Sequence, residues 1–221
     1  MVAKQHNKNT RLSLTFDLAI IDLDNTLYNA NSGVFQRMDE RMNRYIQTHV
    51  QLLESEANDL RLDYWQRYGT TLRGLMLHHG IDAEHFLHDV HDINAHELLT
   101  PDSLLEHALS HFPCRKVIHT NGTKEHAKRI LHALNITDHF SKIYDIRFNH
   151  YQPKPCEVTL AMLLEKEKTE ARRTLVVDDM PDNLSVARKL GMKTCWVHDD
   201  PDKSTNDWDY SVARFHDFLP L

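Results

Sequence analysis

The apolar positions fall into two rhythms that divide the chain. Five short runs are mostly apolar: FDLAIID (16–22), RKVIHT (115–120), KIYDIRF (142–148), TLVVDD (174–179) and KTCWVH (193–198). Each predicts a buried strand. Between the last four runs, apolar residues recur at helical spacing. TKEHAKRILHALN (123–135) places Ala127, Ile130, Leu131 and Leu134 on one face. EVTLAMLLEKEK (157–168) and MPDNLSVARKLG (180–191) read the same way, and Gly191 suits a helix C-terminus. Strands alternating with helices predict an α/β fold, a parallel sheet covered on both faces.

One region breaks this alternation. From about Asn29 to Leu99 no strand pattern occurs. VFQRMDERMNRYIQTHV (34–50) carries Val34, Met38, Met42, Tyr45 and Ile46 at helical spacing. EANDLRLDYWQRYG (56–69), TLRGLMLHHG (71–80) and AEHFLHDVHDI (83–93) also suit helices. The reading is a helical insertion of about 70 residues, at ordinary helix and loop lengths. A chain of 221 residues accommodates one substantial core plus a small inserted unit.

Composition narrows the function classes. No apolar run approaches the ~18 residues of a membrane span. The start, MVAKQHNKNTRLSLTF, is basic and polar without an apolar signal core, so a loose tail is expected there. Lys and Arg number 26 against 32 Asp and Glu, for a net charge of -6. That argues against a nucleic-acid polymer as partner but leaves room for a small phosphorylated ligand in a local pocket. Cys114, Cys156 and Cys195 are widely spaced and form no metal pattern. They suggest small buried residues in a reducing, cytoplasmic setting.

The chemistry gathers where the predicted strands end, which is where ligands bind in open α/β sheets. The first run ends in Asp22-Leu23-Asp24-Asn25-Thr26. Residues i and i+2 of an extended chain face the same side, so Asp22 and Asp24 converge just past the strand. Buried carboxylates are costly without compensation, which suggests a divalent cation or a two-carboxylate reaction. The second run ends in Thr120-Asn121-Gly122 before a helix. A helix N-terminus offers free N–H groups to a phosphate, Gly122 lets the backbone approach, and Thr120 adds a hydroxyl. Lys154, between two prolines, brings positive charge. The fourth run ends in Asp178-Asp179. Acidic groups alone would repel an anionic substrate, whereas bound Mg²⁺ takes carboxylate and phosphate oxygens together. One carboxylate would attack phosphorus and another would move the proton.

Taken singly, each motif has a plainer explanation: a turn, a solvated loop, a helix cap. In this order and placement, DLDNT, HTNG, PKP and VVDD resemble the four motifs of the haloacid dehalogenase (HAD) superfamily of phosphatases, over nearly the whole chain. The resemblance implies a Rossmann-like core (15–28 and 100–221) with an inserted helical cap (29–99). It implies Asp22 as nucleophile and Asp24 as general acid/base. Thr120, Asn121, Gly122 and Lys154 would hold the phosphate. Asp22, the Asp24 main-chain carbonyl and Asp179 would hold Mg²⁺, with Asp178 either a ligand or one layer behind. Asn183 departs from the pattern, since many members carry an Asp four residues after the metal Asp; Asp182 is its neighbour.

DLDNTLY, YWQRYGTTLRGLMLHHGID (64–82) and LGMKTCWV (190–197) resemble the pyrimidine 5′-nucleotidase branch. The expected activity is hydrolysis of a pyrimidine nucleoside 5′-monophosphate. The alternatives are a phosphatase for a sugar phosphate, phosphoglycolate, FMN or pyridoxal phosphate, or a binding module without catalysis. Tyr64, Trp65 and Tyr68 offer rings to a base. Arg73 is the expected substrate contact in the cap, against the plainer reading of a salt-bridged surface arginine. His85, His88 and His91, with His78, His79 and His96 nearby, read as a solvated helix face rather than a zinc site, since their spacing diverges around a helix.

Overall fold

The computed structural model describes residues 16–200 and 207–218; the polar tail expected before the first strand lies, but for Phe16, outside the described residues. Six parallel strands form one sheet: β1 (Leu18–Ile21), β2 (Arg115–His119), β3 (Lys142–Tyr144), β4 (Thr174–Asp178), β5 (Lys193–Val197) and β6 (Tyr210–Val212). The spatial order is β3-β2-β1-β4-β5-β6. The chain runs outward from β1 to β3, then returns to place β4 on the other side of β1. The reversal opens a crevice at the carboxyl end of β1.

Both sheet faces are buried, as the continuous apolar runs predict. Ala19 and Ile21 of β1 join a cluster with Ala127, Ile130 and Leu131 and with Phe215 near the C-terminus. Leu18 and Ile20, pointing the other way, join Leu160, Leu163, Leu184 and Ala187. The helices after β2, β3 and β4 are α6 (Lys124–Ala133), α7 (Glu157–Glu167) and α8 (Pro181–Lys189). Each lies within its expected segment. Cys195 is buried, and Cys114 and Cys156 are half-buried; all three are free thiols.

Four helices follow β1: α1 (Val34–Val50), α2 (Glu54–Tyr68), α3 (Thr71–His79) and α4 (Ala83–Val90). Side-chain oxygens start two of them. Thr70 accepts from the Arg73 N–H at 3.2 Å, and Asp82 accepts from the His85 N–H at 2.8 Å. Tyr45, Ile46, Tyr64, Leu75, Phe86 and Leu87 form their own apolar cluster, which also takes in Ile146. Gly74 is where α2 and α3 meet. A Cβ there would lie 2.2 Å from Tyr64 Cγ.

One expected strand needs correction, and two elements lie outside the sequence pattern. The strand expected over 142–148 stops at Tyr144, because the Asp145 carboxylate turns the chain. It accepts from the N–H groups of Lys124 and Phe148. A helix that the pattern did not reveal, α5 (Ser103–His111), precedes β2, started by Asp102, which accepts from the Leu104 and Leu105 N–H groups. Strand β6, with three residues, is too short to carry a period.

Gly74→Ala tests the α2–α3 contact. In an open helix this change stabilises by up to about 1 kcal/mol. Here the added methyl meets a buried ring, so the expected effect is a loss of about 1–3 kcal/mol, read as a lower thermal midpoint. A raised midpoint would show that Tyr64 does not pack on Gly74.

Candidate active site

The sheet brings the predicted residues together at the carboxyl ends of β1, β2 and β4. Parallel pairing sets Ile21 beside Val177, and the Asp22 N–H donates to the Val177 carbonyl at 2.9 Å. Asp22 and Asp178 therefore leave adjacent strands side by side. The Lys154 ammonium lies between them, 2.5 Å from Asp22 Oδ1 and 3.0 Å from Asp178 Oδ2. It also donates to the His119 carbonyl at the end of β2, at 2.9 Å. All three side chains are at least nine-tenths buried.

The loop after β2 supports this centre. Asn121 Oδ1 accepts from the Lys154 N–H at 2.7 Å, so the Asn121 side chain anchors the lysine backbone. Thr120 Oγ1 accepts from the Gly122 N–H at 2.9 Å, which leaves the hydroxyl proton available to a ligand. Thr26 donates to Asp22 Oδ2 at 3.2 Å.

The carboxylates differ in their surroundings. Asp178 is saturated: Oδ1 accepts from the Met180 N–H, Oδ2 from Lys154, and the Asn183 amide donates to both oxygens. Asn183 thus plays a part that an unprotonated aspartate at that position could not. Asp182 beside it is exposed. Asp22, Asp178 and Asp179 each offer an oxygen within 4.8 Å of the others. Burial pushes the Asp22 carboxyl well up, against the pull of Lys154, and Asp178, Asp179 and Asp24 add to the rise. Burial and Asp178 bring Asp179 up to about 6. Burial opposes the Lys154 charge, yet Asp178 and Asp22 hold its ammonium above the ordinary range. Three carboxylates share one ammonium, so the cluster has an excess of negative charge.

Asp24 faces another way. Its Oδ1 accepts from Tyr28 at 2.5 Å and from His126 Nε2 at 2.9 Å. Burial would raise this carboxyl, but His126 and Tyr28 outweigh it and hold it below the usual range. The His126 ring is fully buried and stacks on His91 with centroids 4.6 Å apart. His91 is only 4% exposed, which corrects its expected place on a solvated helix face; His85 and His88 are exposed as expected. Tyr28 and His126 carry no recognised signal in the sequence, and His91 carries only the histidine spacing of the helical region. His126 sits on the polar side of the α6 pattern, and nothing local shows that it meets a residue 102 positions away.

In the helical region, Arg73 is half-buried, and its guanidinium makes no ion pair among the described residues. That removes the salt-bridged reading. The turn before α3 touches the lysine loop: a Cβ on Gly69 would lie 3.1 Å from Pro153 and 3.7 Å from the Lys154 carbonyl. Tyr64 is buried against Gly74 and hydrogen-bonded to His79, so it is a packing residue. Trp65 stays half exposed, and Tyr68 meets His78.

A family model of haloacid dehalogenase-like hydrolases matches residues 16–191. The chain belongs to this hydrolase family. "Phosphate metabolism protein 8" of Saccharomyces cerevisiae is 26% identical over 192 residues, 77% of this chain. The match covers 58% of that protein, so the chain spans less than two thirds of the yeast relative. Among solved structures, an HAD phosphatase from Thermococcus onnurineus aligns with a TM-score of 0.65 at 16% identity, over 91% of this chain and 95% of that one. The HAD hydrolase YfnB of Bacillus subtilis, described as bound to magnesium, aligns with a TM-score of 0.61 at 15% identity, over 91% and 96%. At such identities the likeness is one of fold. Among the described residues no helix is long and apolar enough to cross a membrane.

His119 links the site to stability. Burial, with Lys154 beside it, lowers its imidazole to about 3, while the unfolded chain takes the proton near 6.5. The folded state loses its advantage as pH falls below about 6.5, by at most about 1.4 kcal/mol per unit. Between pH 7 and pH 5 the stability read by urea unfolding should fall by about 2 kcal/mol more in the unmodified protein than in His119→Gln. Equal slopes in both proteins would mean that His119 is not buried neutral.

Proposed function

We propose that this chain is a Mg²⁺-dependent phosphomonoesterase acting on a small phosphorylated metabolite. The observation that carries this reading is the Lys154 ammonium bridging Asp22 and Asp178, with Asp179 alongside. The yeast relative's name speaks of phosphate metabolism, and one archaeal structural neighbour is called a phosphatase. A dehalogenase needs the carboxylate nucleophile but not the Asp178–Asp179 pair, whose charge would oppose an anionic haloacid.

The residues fit the metal. The cluster offers hard oxygen donors, and its excess charge calls for a cation. Asp178 is saturated, so Asp22 and Asp179 are the side chains free to ligate, with the Asp24 main-chain carbonyl as the resemblance implies. When bound, Mg²⁺ supplies the positive charge that draws phosphate oxygens towards an acidic site. Lys154 and the Thr120 hydroxyl bind the same oxygens. Against burial, His126 and Tyr28 favour the ionised Asp24 carboxylate in the free site, and a negative phosphate beside Asp24 favours the protonated form. Asp22 attacks phosphorus while the ester P–O bond breaks, and Asp24 gives that proton to the leaving oxygen. An alcohol departs and an aspartyl-phosphate remains. Water then attacks phosphorus and returns a proton to Asp24. The Asp22–phosphate bond breaks, releasing inorganic phosphate.

Helices α1–α4, within the segment 29–99, act as the cap that selects the leaving group. Resemblance of residues 64–82 to the pyrimidine 5′-nucleotidases favours a pyrimidine nucleoside 5′-monophosphate. Arg73, without an ion pair among the described residues and one turn beyond the Gly69 contact with the lysine loop, supports a substrate contact there.

Phosphate release from purified protein should need Mg²⁺ and stop with EDTA. Asp22→Asn should abolish it in a folded protein, and Lys154→Ala should lower it by about 10²–10³. Near-normal turnover in Lys154→Ala would remove the proposed phosphate site.

For the substrate, kcat/KM should be higher for UMP and CMP than for AMP, GMP, phosphoglycolate or glucose 6-phosphate. Arg73→Ala should reduce that lead about tenfold, the worth of one charged hydrogen bond. A non-nucleotide that leads by about tenfold, an advantage of some 1.4 kcal/mol, leaves the phosphatase reading without the nucleotide.

A further inference from the structure

We propose that His126 is a positioning residue for proton transfer by Asp24, acting together with Tyr28 and held in place by His91. The proposal rests on the phosphatase reading and assigns it three further residues.

Two donors converge on one atom. Tyr28 reaches Asp24 Oδ1 from four residues along the chain, at 2.5 Å. His126 reaches the same oxygen from the first turn of α6, at 2.9 Å. Neither bond involves Oδ2, which takes no hydrogen bond among the described residues. A carboxyl whose one oxygen already accepts two hydrogen bonds carries its proton on the other. The pair therefore fixes the plane of the carboxyl and leaves Oδ2 as the atom that delivers and recovers the proton.

The plainer account is a core histidine satisfied by a nearby carboxylate. Three features set this one apart. Its backbone is held at a helix start, where the His126 N–H donates to Thr123 Oγ1 at 3.1 Å. Its ring stacks on His91 at an interplanar angle of 26°. His91 is itself tied to α6, because its carbonyl accepts from Arg129 at 2.5 Å and its ring nitrogen lies 3.4 Å from Thr123 Oγ1.

The phosphate loop makes room for this stack. A Cβ on Gly122 would lie 3.0 Å from His126 Cδ2, 3.3 Å from Thr120 Oγ1 and 3.7 Å from His91 Nε2. Loop, imidazole pair and proton donor are thus packed as one unit. His91 directly follows α4, so the helical region reaches Asp24 through this ring. A carboxyl held this way transfers a proton only along the direction its neighbours set.

Leaving groups provide the test. An alkoxide must be protonated as it departs, whereas p-nitrophenolate leaves as a stable anion. The value to compare is kcat/KM, which reports the steps up to release of the alcohol. For 2-glycerol phosphate it should fall about 10²-fold in His126→Leu, the lower end of a general-acid contribution. The fall should be smaller in His126→Gln, which restores a donor near the Nε2 position. Tyr28→Phe should cost about tenfold. For p-nitrophenyl phosphate each variant should stay within about threefold of the unmodified protein, since no proton is needed there.

Equal losses on both esters, or no loss on the glycerol ester, would overturn the positioning role and leave the phosphatase reading intact. If the His126 variants do not fold, judged by circular dichroism, Tyr28→Phe decides alone, since it removes a single oxygen. Unmodified protein that hydrolyses neither ester overturns the phosphatase reading, and the proposal with it.

Discussion

One buried ammonium holds the centre of this molecule together. Lys154 joins the ends of three strands: it meets Asp22 after β1, the His119 carbonyl at the end of β2 and Asp178 at the end of β4. Two carboxylates side by side in a low-dielectric crevice repel strongly. The lysine makes the crevice possible, and removing either kind of partner would strand a buried charge. Other contacts serve to keep this lysine in place. Asn121 holds its backbone, the Gly69 turn abuts its loop, and Asn183 occupies the far side of Asp178.

Around that point, neighbours give chemically identical carboxyls different characters. Asp178 is saturated with donors, Asp179 is raised to about 6, and Asp24 is lowered by His126 and Tyr28. Environments that push titrating groups apart are how a single site assigns different tasks to like residues. The asymmetry follows from direction. Asp22 and Asp178 are aimed at one another by parallel pairing, while Asp24, past the strand end, turns towards α6.

The helical region is joined to the sheet side by charge as well as by packing. Arg147, just after β3, holds both oxygens of Glu84 on α4 at 2.7 and 2.8 Å and also reaches Glu125 and Asp145. Tyr151 donates to Glu84 as well. Together these contacts bring Glu84 down to about 2. The charges are partly exposed, so solvent screens them, and their value lies in orientation. With the buried His91–His126 stack beside them, they hold α4 against the start of α6 and the segment after β3.

The parallel α/β sheet and the positions of Asp22, Asp24, Thr120, Lys154 and Asp178–Asp179 were legible in the chain. Their causes are local: continuous apolar runs demand burial on both faces, polar and charged residues at the ends of such runs stand out, and Lys154 is marked by its two flanking prolines and by the order of the motifs. Short or interrupted elements were not legible, since three residues at β6 show no period and the Asp145 turn that ends β3 depends on contacts with α6. The partners of each carboxyl were equally hidden. Tyr64 has the ring of a stacking residue, but Gly74 packs against it, and His91 has the spacing of a surface residue, but α6 lies beneath it. A residue's type and the local period are properties of the chain, so the sequence determined which groups lie at the strand ends. Which oxygen meets which donor is set by packing between segments about a hundred residues apart, as for Asp24 and His126, and only the tertiary structure decided that.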